Sequence, residues 1–178
     1  MFSLLKIFNK NRELKQFYLS IFIRRIGASL IGIFTPIYFY QIGYSIVYIL
    51  FFYFLVSLFY LLFSYTGAKI ISKIGEKHAI LLGTFFDICF FIGLIFLPDF
   101  PVLFYPIAII AVPGLIFYWM SYHLLFTQES HPKNRSREVS NIGILIIIAG
   151  IITPYIGGIL AEKNFNILFI ISSLLLLF

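Results

Sequence analysis

Charge is scarce in this sequence. Only 11% of the 178 residues are Asp, Glu, Lys or Arg, and between Arg25 and Lys69 there is none. Soluble domains carry about 25% charged residues, so the chain lacks the polar surface that a fold in water requires. Cysteine occurs once, as Cys89 inside an apolar run, which excludes an intrachain disulfide and leaves the redox compartment unreadable. Histidine occurs three times, and neither His123 nor His131 has Cys, Asp or Glu at metal-ligand spacing, so no metal is expected. There is no nucleophile elbow, phosphate loop or zinc pattern. Nor is there a nucleotide-binding domain or a cluster of polar catalytic groups at one membrane face. The chain is therefore not read as an enzyme or an ATP-driven pump, and it is expected to need no cofactor. No small-residue cleavage site follows a short apolar run near the start, which argues against a cleavable signal peptide.

What the sequence has in abundance is apolar length. It is 61% hydrophobic with a mean hydropathy of +1.02. A helix needs about 20 residues to cross the hydrocarbon of a bilayer, and the uncharged stretch after Arg25 is about twice that. It fits two spans and a hairpin, broken where Gln41-Ile-Gly43-Tyr-Ser45 gathers polar residues and glycine. The fold class expected is an all-α integral membrane bundle of six transmembrane helices. A basic lead-in at 1–16, with apolar residues suited to a short interfacial helix, precedes a transmembrane domain at 17–178. The spans fall at about 18–39, 46–67, 79–97, 102–126, 141–161 and 166–178. Pro113-Gly114 lies in the middle of the fourth and suggests a kink. The sixth stops without a polar flank and reads as truncated.

The basic residues set the orientation. With the N-terminus cytoplasmic, every Lys and Arg but Lys163 falls on the cytoplasmic side, and the opposite orientation would reverse that bias. The net charge of +6 is accordingly read as topogenic and not as a sign of nucleic-acid binding. The polar stretch with Glu129, His131, Lys133, Arg135, Arg137 and Glu138 reads in the same way, as a solvated cytoplasmic loop.

Two segments carry a resemblance. After the second span the chain reads Ala68-Lys-Ile70-Ile-Ser72-Lys73-Ile-Gly75-Glu-Lys77-His-Ala-Ile80. This resembles the loop motif of the major facilitator superfamily, G-x-L-a-D-r-x-G-r-k-x-x-l, in Gly75, Lys73, Lys77, Ile70 and Ile80. Ala68 stands at the first Gly, and Ser72 replaces the Asp that takes part in latching the two halves of such transporters. In the fifth span, Ala149-x3-Thr153-Pro154-x2-Gly157-Gly158 is similar to the family's g-x-x-x-G-P-x-x-G-G, where small residues permit close helix packing. The resemblance implies secondary transport of a small solute by alternating access. The present six spans would form the N-terminal half, with a second six-helix half supplied by a continuation of the chain or by another copy. It also implies a gate role for the loop at 70–80 and a site near the midplane. A proline-bearing echo, Gly32-Ile-Phe-Thr35-Pro36 against Gly150-Ile-Ile-Thr153-Pro154, relates spans one and five, which are not mates in a 3+3 repeat. It is therefore not read as one. Proton-coupled members often have an intramembrane Arg in span four; this span has none.

A few polar side chains interrupt the apolar runs. Arg24 and Arg25 lie about 10 Å into the first span at 1.5 Å per residue. They are candidates for the substrate cavity, against the reading that both snorkel to the headgroups. Asp87 lies at matching depth in the third span, so an ion pair with Arg24 or Arg25 is expected, structural more than substrate-binding. Trp119, His123 and Thr127 recur on one face of span four. Trp119 and His123 are cavity candidates, against the reading that they mark the interface. The location expected is the cell membrane. The reading outside transport is a six-helix scaffold or a half-size homodimer. Substrate, direction and coupling ion are not legible.

Overall fold

The computed structural model describes residues 12–130 and 135–177. Lys6, Lys10, the apolar residues between positions 2 and 8, His131 and Lys133 lie outside the described residues. Within them the chain is helical and has no strand. The helices are α1 (Arg12–Gly32), α2 (Phe34–Gln41), α3 (Ile46–Ile74), α4 (Glu76–Phe96), α5 (Phe104–Glu129), α6 (Arg135–Lys163) and α7 (Phe165–Leu176). A 3-10 turn, Pro101–Leu103, leads into α5. Five stretches are long and apolar enough to cross a membrane: Leu19–Gln41, Ile46–Ile74, Glu76–Phe96, Pro101–Gln128 and Arg135–Lys163. The twelve-residue α7 is a sixth, shorter apolar helix.

Three boundaries depart from the sequence reading. The first span is two helices, because Pro36 has no N–H to give to the Gly32 carbonyl one turn earlier, and the helix breaks at Ile33. Pro113 and Pro154 do not divide α5 and α6, which remain single helices. The basic segment expected as a loop at 69–78 is almost all helix. α3 runs on to Ile74, giving it 29 residues and a length of about 43 Å, well beyond the hydrocarbon. The connection to α4 is Gly75 alone, at φ 82°, a left-handed conformation that glycine adopts without a Cβ clash. Likewise α6 starts at Arg135, inside the stretch expected as a solvated loop.

Apolar side chains point outward over much of the surface. Only 17% of the most apolar window of α3 is buried, and 17% of that of α6. Ile46, Val47, Leu61, Ile147, Ile151 and Tyr155 are all more than half exposed. A soluble fold would bury such a surface; an apolar solvent has no need to.

Counting α1 with α2 as the first span, span one packs on spans five and six. Span four packs on spans two and three, and span three also packs on span six. Exchanging one with four, two with five and three with six maps each of these pairings onto another of the set. The one–five contact becomes four–two, one–six becomes four–three, and three–six maps onto itself. The smaller contacts of two with three and of five with six also interchange, whereas the small contact of one with two has no counterpart of like size between four and five. Burial agrees for two of the three exchanged pairs: of the five long spans, one and four are the most buried, at 33% and 39%, and two and five the least, at 17% each.

The two ends of the bundle are tied differently. At one end Gln128 donates to the Glu76 carboxylate at 2.9 Å, joining the end of α5 to the start of α4. This brings the Lys73–Lys77 turn to the same end as Arg135, which donates to Ser130 and to the Thr127 carbonyl. At the opposite end rings do the joining. Phe104 stacks on Tyr44 at 4.5 Å and meets Phe39 and Phe52 at 5.6 and 5.4 Å. The Tyr38 hydroxyl donates to the Leu94 carbonyl at 2.7 Å.

Candidate functional site: a charged cavity between spans

The site starts with a charge that must be neutralised. Arg24 is 9% exposed in the middle of α1, where an unpaired guanidinium in apolar surroundings costs several kcal/mol. It donates to the carboxylate of Asp87 on α4 and to the Thr84 hydroxyl at 2.6 Å. That hydroxyl in turn donates to the Ile80 carbonyl at 2.9 Å, so both its proton and a lone pair are used. The flat face of the guanidinium lies 3.5 Å from the centre of the Tyr118 ring on α5. One cation thus fastens three helices.

Two glycines make the arrangement possible. A Cβ at Gly114 would run into the Asp87 carboxylate. A Cβ at Gly83 would lie 2.9 Å from the Tyr118 backbone nitrogen and 3.2 Å from the Gly114 carbonyl oxygen. α4 and α5 therefore approach backbone to backbone at Gly83 and Gly114, and the carboxylate of Asp87, one turn on from Gly83, fills the space beside Gly114.

Next to this cluster is a cavity of about 250 Å³. Its walls come from α1, α3, α4 and α5 with Thr35 of α2, Ile146 of α6 and Leu176 of α7. Arg24 and Arg25 both border it, although neighbours on a helix project about 100° apart; Asp87 borders it too. Phe52, Tyr53, Phe90, Phe91, Tyr118 and Trp119 supply aromatic wall. Arg25 lies with its guanidinium carbon 5.6 Å from the centre of the Trp119 ring and has no carboxylate partner among the described residues. The three charged lining residues leave one surplus positive charge.

The other expected residues fall in different places. His123 is exposed and does not border the cavity; its ring stacks on Trp119 at 6.2 Å and 29°. Thr127 is exposed and returns its hydroxyl to the His123 carbonyl at 2.8 Å. Of that face, Trp119 alone reaches the cavity. In the segment resembling the gate motif, Ala68, Lys73 and Lys77 are exposed, and the Ser72 hydroxyl bonds back to the Lys69 carbonyl at 2.8 Å. The buried residues there are Ile71 and Ala79, each one position away from the apolar residues that match the motif.

The glycine motif of α6 divides. Ala149, Thr153 and Gly157 form a buried stripe one turn apart, and a Cβ at Gly157 would come within 2.5 Å of the Phe34 ring. Gly158 lies to the side: a Cβ there would be 3.9 Å from that ring, an ordinary contact. Pro154 stands half-buried next to Thr153, whose hydroxyl donates to the Ala149 carbonyl. Thr35, before Pro36, does the same to Ile31 at 3.0 Å. The two Thr-Pro pairs share one local feature on packed helices, a buried threonine hydroxyl bonded to the carbonyl one turn back.

Sequence reasoning missed Tyr118, Thr84, Gly83 and Gly114 as parts of the site. Spacing held a signal for some of them. Thr84 and Asp87 are i, i+3 on one face of α4, and Gly83 and Asp87 are i, i+4. No family model matches this chain, and no curated protein matches it.

Proposed function

We propose that the chain is one six-helix half of a secondary transporter of the major facilitator type, moving a small solute by alternating access. The observation that carries the reading is the packing scheme. Its larger pairings are preserved when spans one to three are exchanged with four to six, and so is the burial order of spans one and two against four and five. In an up-and-down bundle the first and fourth spans run in opposite directions, so the exchange is that of an inverted 3+3 repeat. The charged cavity, walled by spans of both repeats, fits a solute site near the midplane.

The basic residues support an orientation with the N-terminus cytoplasmic, since the Lys73–Lys77 turn and Arg135 share one end of the bundle and Lys163 closes the other. The poorly buried faces of α3 and α6 are where the second half would pack, whether a continuation of the chain or another copy. The cell membrane is the proposed location. No cofactor is invoked, and no chemistry beyond binding and helix movement.

The test is access to the cavity from both sides. Ala28 borders it, so full-length protein carrying Ala28→Cys in a Cys89→Ala background is reconstituted in one orientation in sealed vesicles. An alternating-access transporter is labelled by a membrane-impermeant thiol reagent added to either face alone. Labelling from one face only, or from neither, would show a static bundle.

A further inference from the structure

Arg24 and Arg25 differ in a way that bears on what the cavity holds. Arg24 is spoken for: Asp87 takes its charge, Thr84 accepts from it, and Tyr118 covers its face. Arg25 borders the same cavity with the Trp119 ring at 5.6 Å and Tyr118 and Tyr122 also near it, and it has no carboxylate partner among the described residues. Arg25 is half-buried beside an apolar wall, and an anion placed against such a cation stabilises it. The rest of the wall excludes a strongly hydrated ligand. Phe52, Tyr53, Phe90, Phe91 and Tyr118 present ring surface, and apart from the three charged residues the lining offers few polar groups. The volume of about 250 Å³ lies near the low end of small-molecule sites, which run from about 300 to 1,000 Å³.

We propose that the cavity binds an amphipathic monoanion. Its charged head pairs with the Arg25 guanidinium, and its apolar body lies along the aromatic wall. A single surplus positive charge matches one negative charge: a second would be left unpaired in an apolar site, and a cation would meet Arg25 head on. A planar guanidinium can donate two parallel hydrogen bonds to a carboxylate or a phosphodiester, so both heads fit. A carboxylate would arrive on a soluble acid, a phosphodiester on an anionic lipid. The proposal rests on the transporter reading only for the solute's later movement; binding itself does not require it.

The test uses full-length protein in phosphatidylcholine nanodiscs. Trp119 borders the cavity and is the single Trp of these 178 residues, so its fluorescence reports occupancy, with Trp119→Phe as the control. Phenylacetate and hexanoate are titrated beside their uncharged amides. Saturable changes with the acids, about 10- to 100-fold tighter than with the amides, are expected from losing one charged hydrogen-bonded pair. Arg25→Gln should remove that preference while Arg25→Lys keeps part of it. Thermal unfolding of each variant confirms that the Arg24–Asp87 pair still holds the bundle. A response to phosphatidylglycerol in the nanodisc and to neither acid would support the anion site and identify a lipid as its occupant, against the transporter reading. Acid binding in a protein that moves no acid across vesicles likewise sinks transport and leaves the site standing. Equal binding of acids and amides, no binding of any probe, or an acid preference that survives Arg25→Gln in folded protein would overturn the proposal.

Discussion

The guanidinium of Arg24 and the carboxylate of Asp87, 63 residues apart in the chain, meet between α1 and α4 with Gly114 of α5 directly behind the carboxylate. Three helices that have little else polar in common are held in one register by this contact. Its value is mostly in what happens when half of it is missing. Removing one member of a buried pair leaves an uncompensated charge, which costs about 3–5 kcal/mol, whereas removing both costs far less.

Asp87→Asn and Arg24→Gln are each expected to destabilise the protein by about 3 kcal/mol, and the double variant by clearly less than the sum. Thermal unfolding in detergent of the four forms gives the coupling. Strictly additive effects would mean that the pair does not exist in the membrane protein.

Gly83 and Gly143 make a matched comparison. A methyl at Gly83 meets backbone of α5, which cannot move aside as a flexible side chain can; at Gly143 it meets nothing within 4 Å. Gly83→Ala should therefore lower the unfolding temperature, at a cost of about 1–3 kcal/mol. Gly143→Ala should leave it unchanged or raise it, since alanine is the better helix former by up to about 1 kcal/mol. A larger loss from Gly143→Ala than from Gly83→Ala would contradict the α4–α5 crossing.

The glycine pair of α6 should behave unequally. Gly157→Ala pushes on the Phe34 ring, and Phe34→Leu in the same protein should recover part of the loss. Gly158→Ala should be close to neutral. The readout is again thermal stability, with yield of folded protein as a second measure, and equal sensitivity at the two positions would be the wrong outcome.

Orientation is open to direct labelling. In a Cys89→Ala background, Lys73→Cys and Arg137→Cys should react with an impermeant thiol reagent in inverted vesicles and not in intact cells, and Lys163→Cys in intact cells and not in sealed inverted vesicles. Reaction of Lys73→Cys and Lys163→Cys from one and the same face would break the alternating topology.

The spans themselves were legible because apolar length is a one-dimensional property: a run free of charge has to be hidden from water wherever it lies. Helix ends were less so. Taking the edge of the bilayer as the edge of the helix turned Ala68, Ser72 and Lys73 into a loop, although nothing in those residues breaks a helix before Gly75, and long lysine side chains are at ease on a helix that protrudes into water. The depth match of Arg24 with Asp87 was visible from counting residues, and the structure selects Arg24 over Arg25. Gly83, Gly114 and Tyr118 stayed hidden because they matter through a crossing of two helices, and a crossing depends on rotation about each axis, which hydropathy does not report. His123 shows the reverse error: it shares a helical face with Trp119, yet lies one turn beyond the cavity.

That these six spans are half of a solute transporter is tested by flux. Full-length protein is reconstituted in liposomes and given a panel of labelled amphipathic acids, neutral solutes and cations. Time-dependent, saturable accumulation of at least one of them over protein-free liposomes is expected. Folded, correctly inserted protein that moves none of the panel in either direction would contradict it.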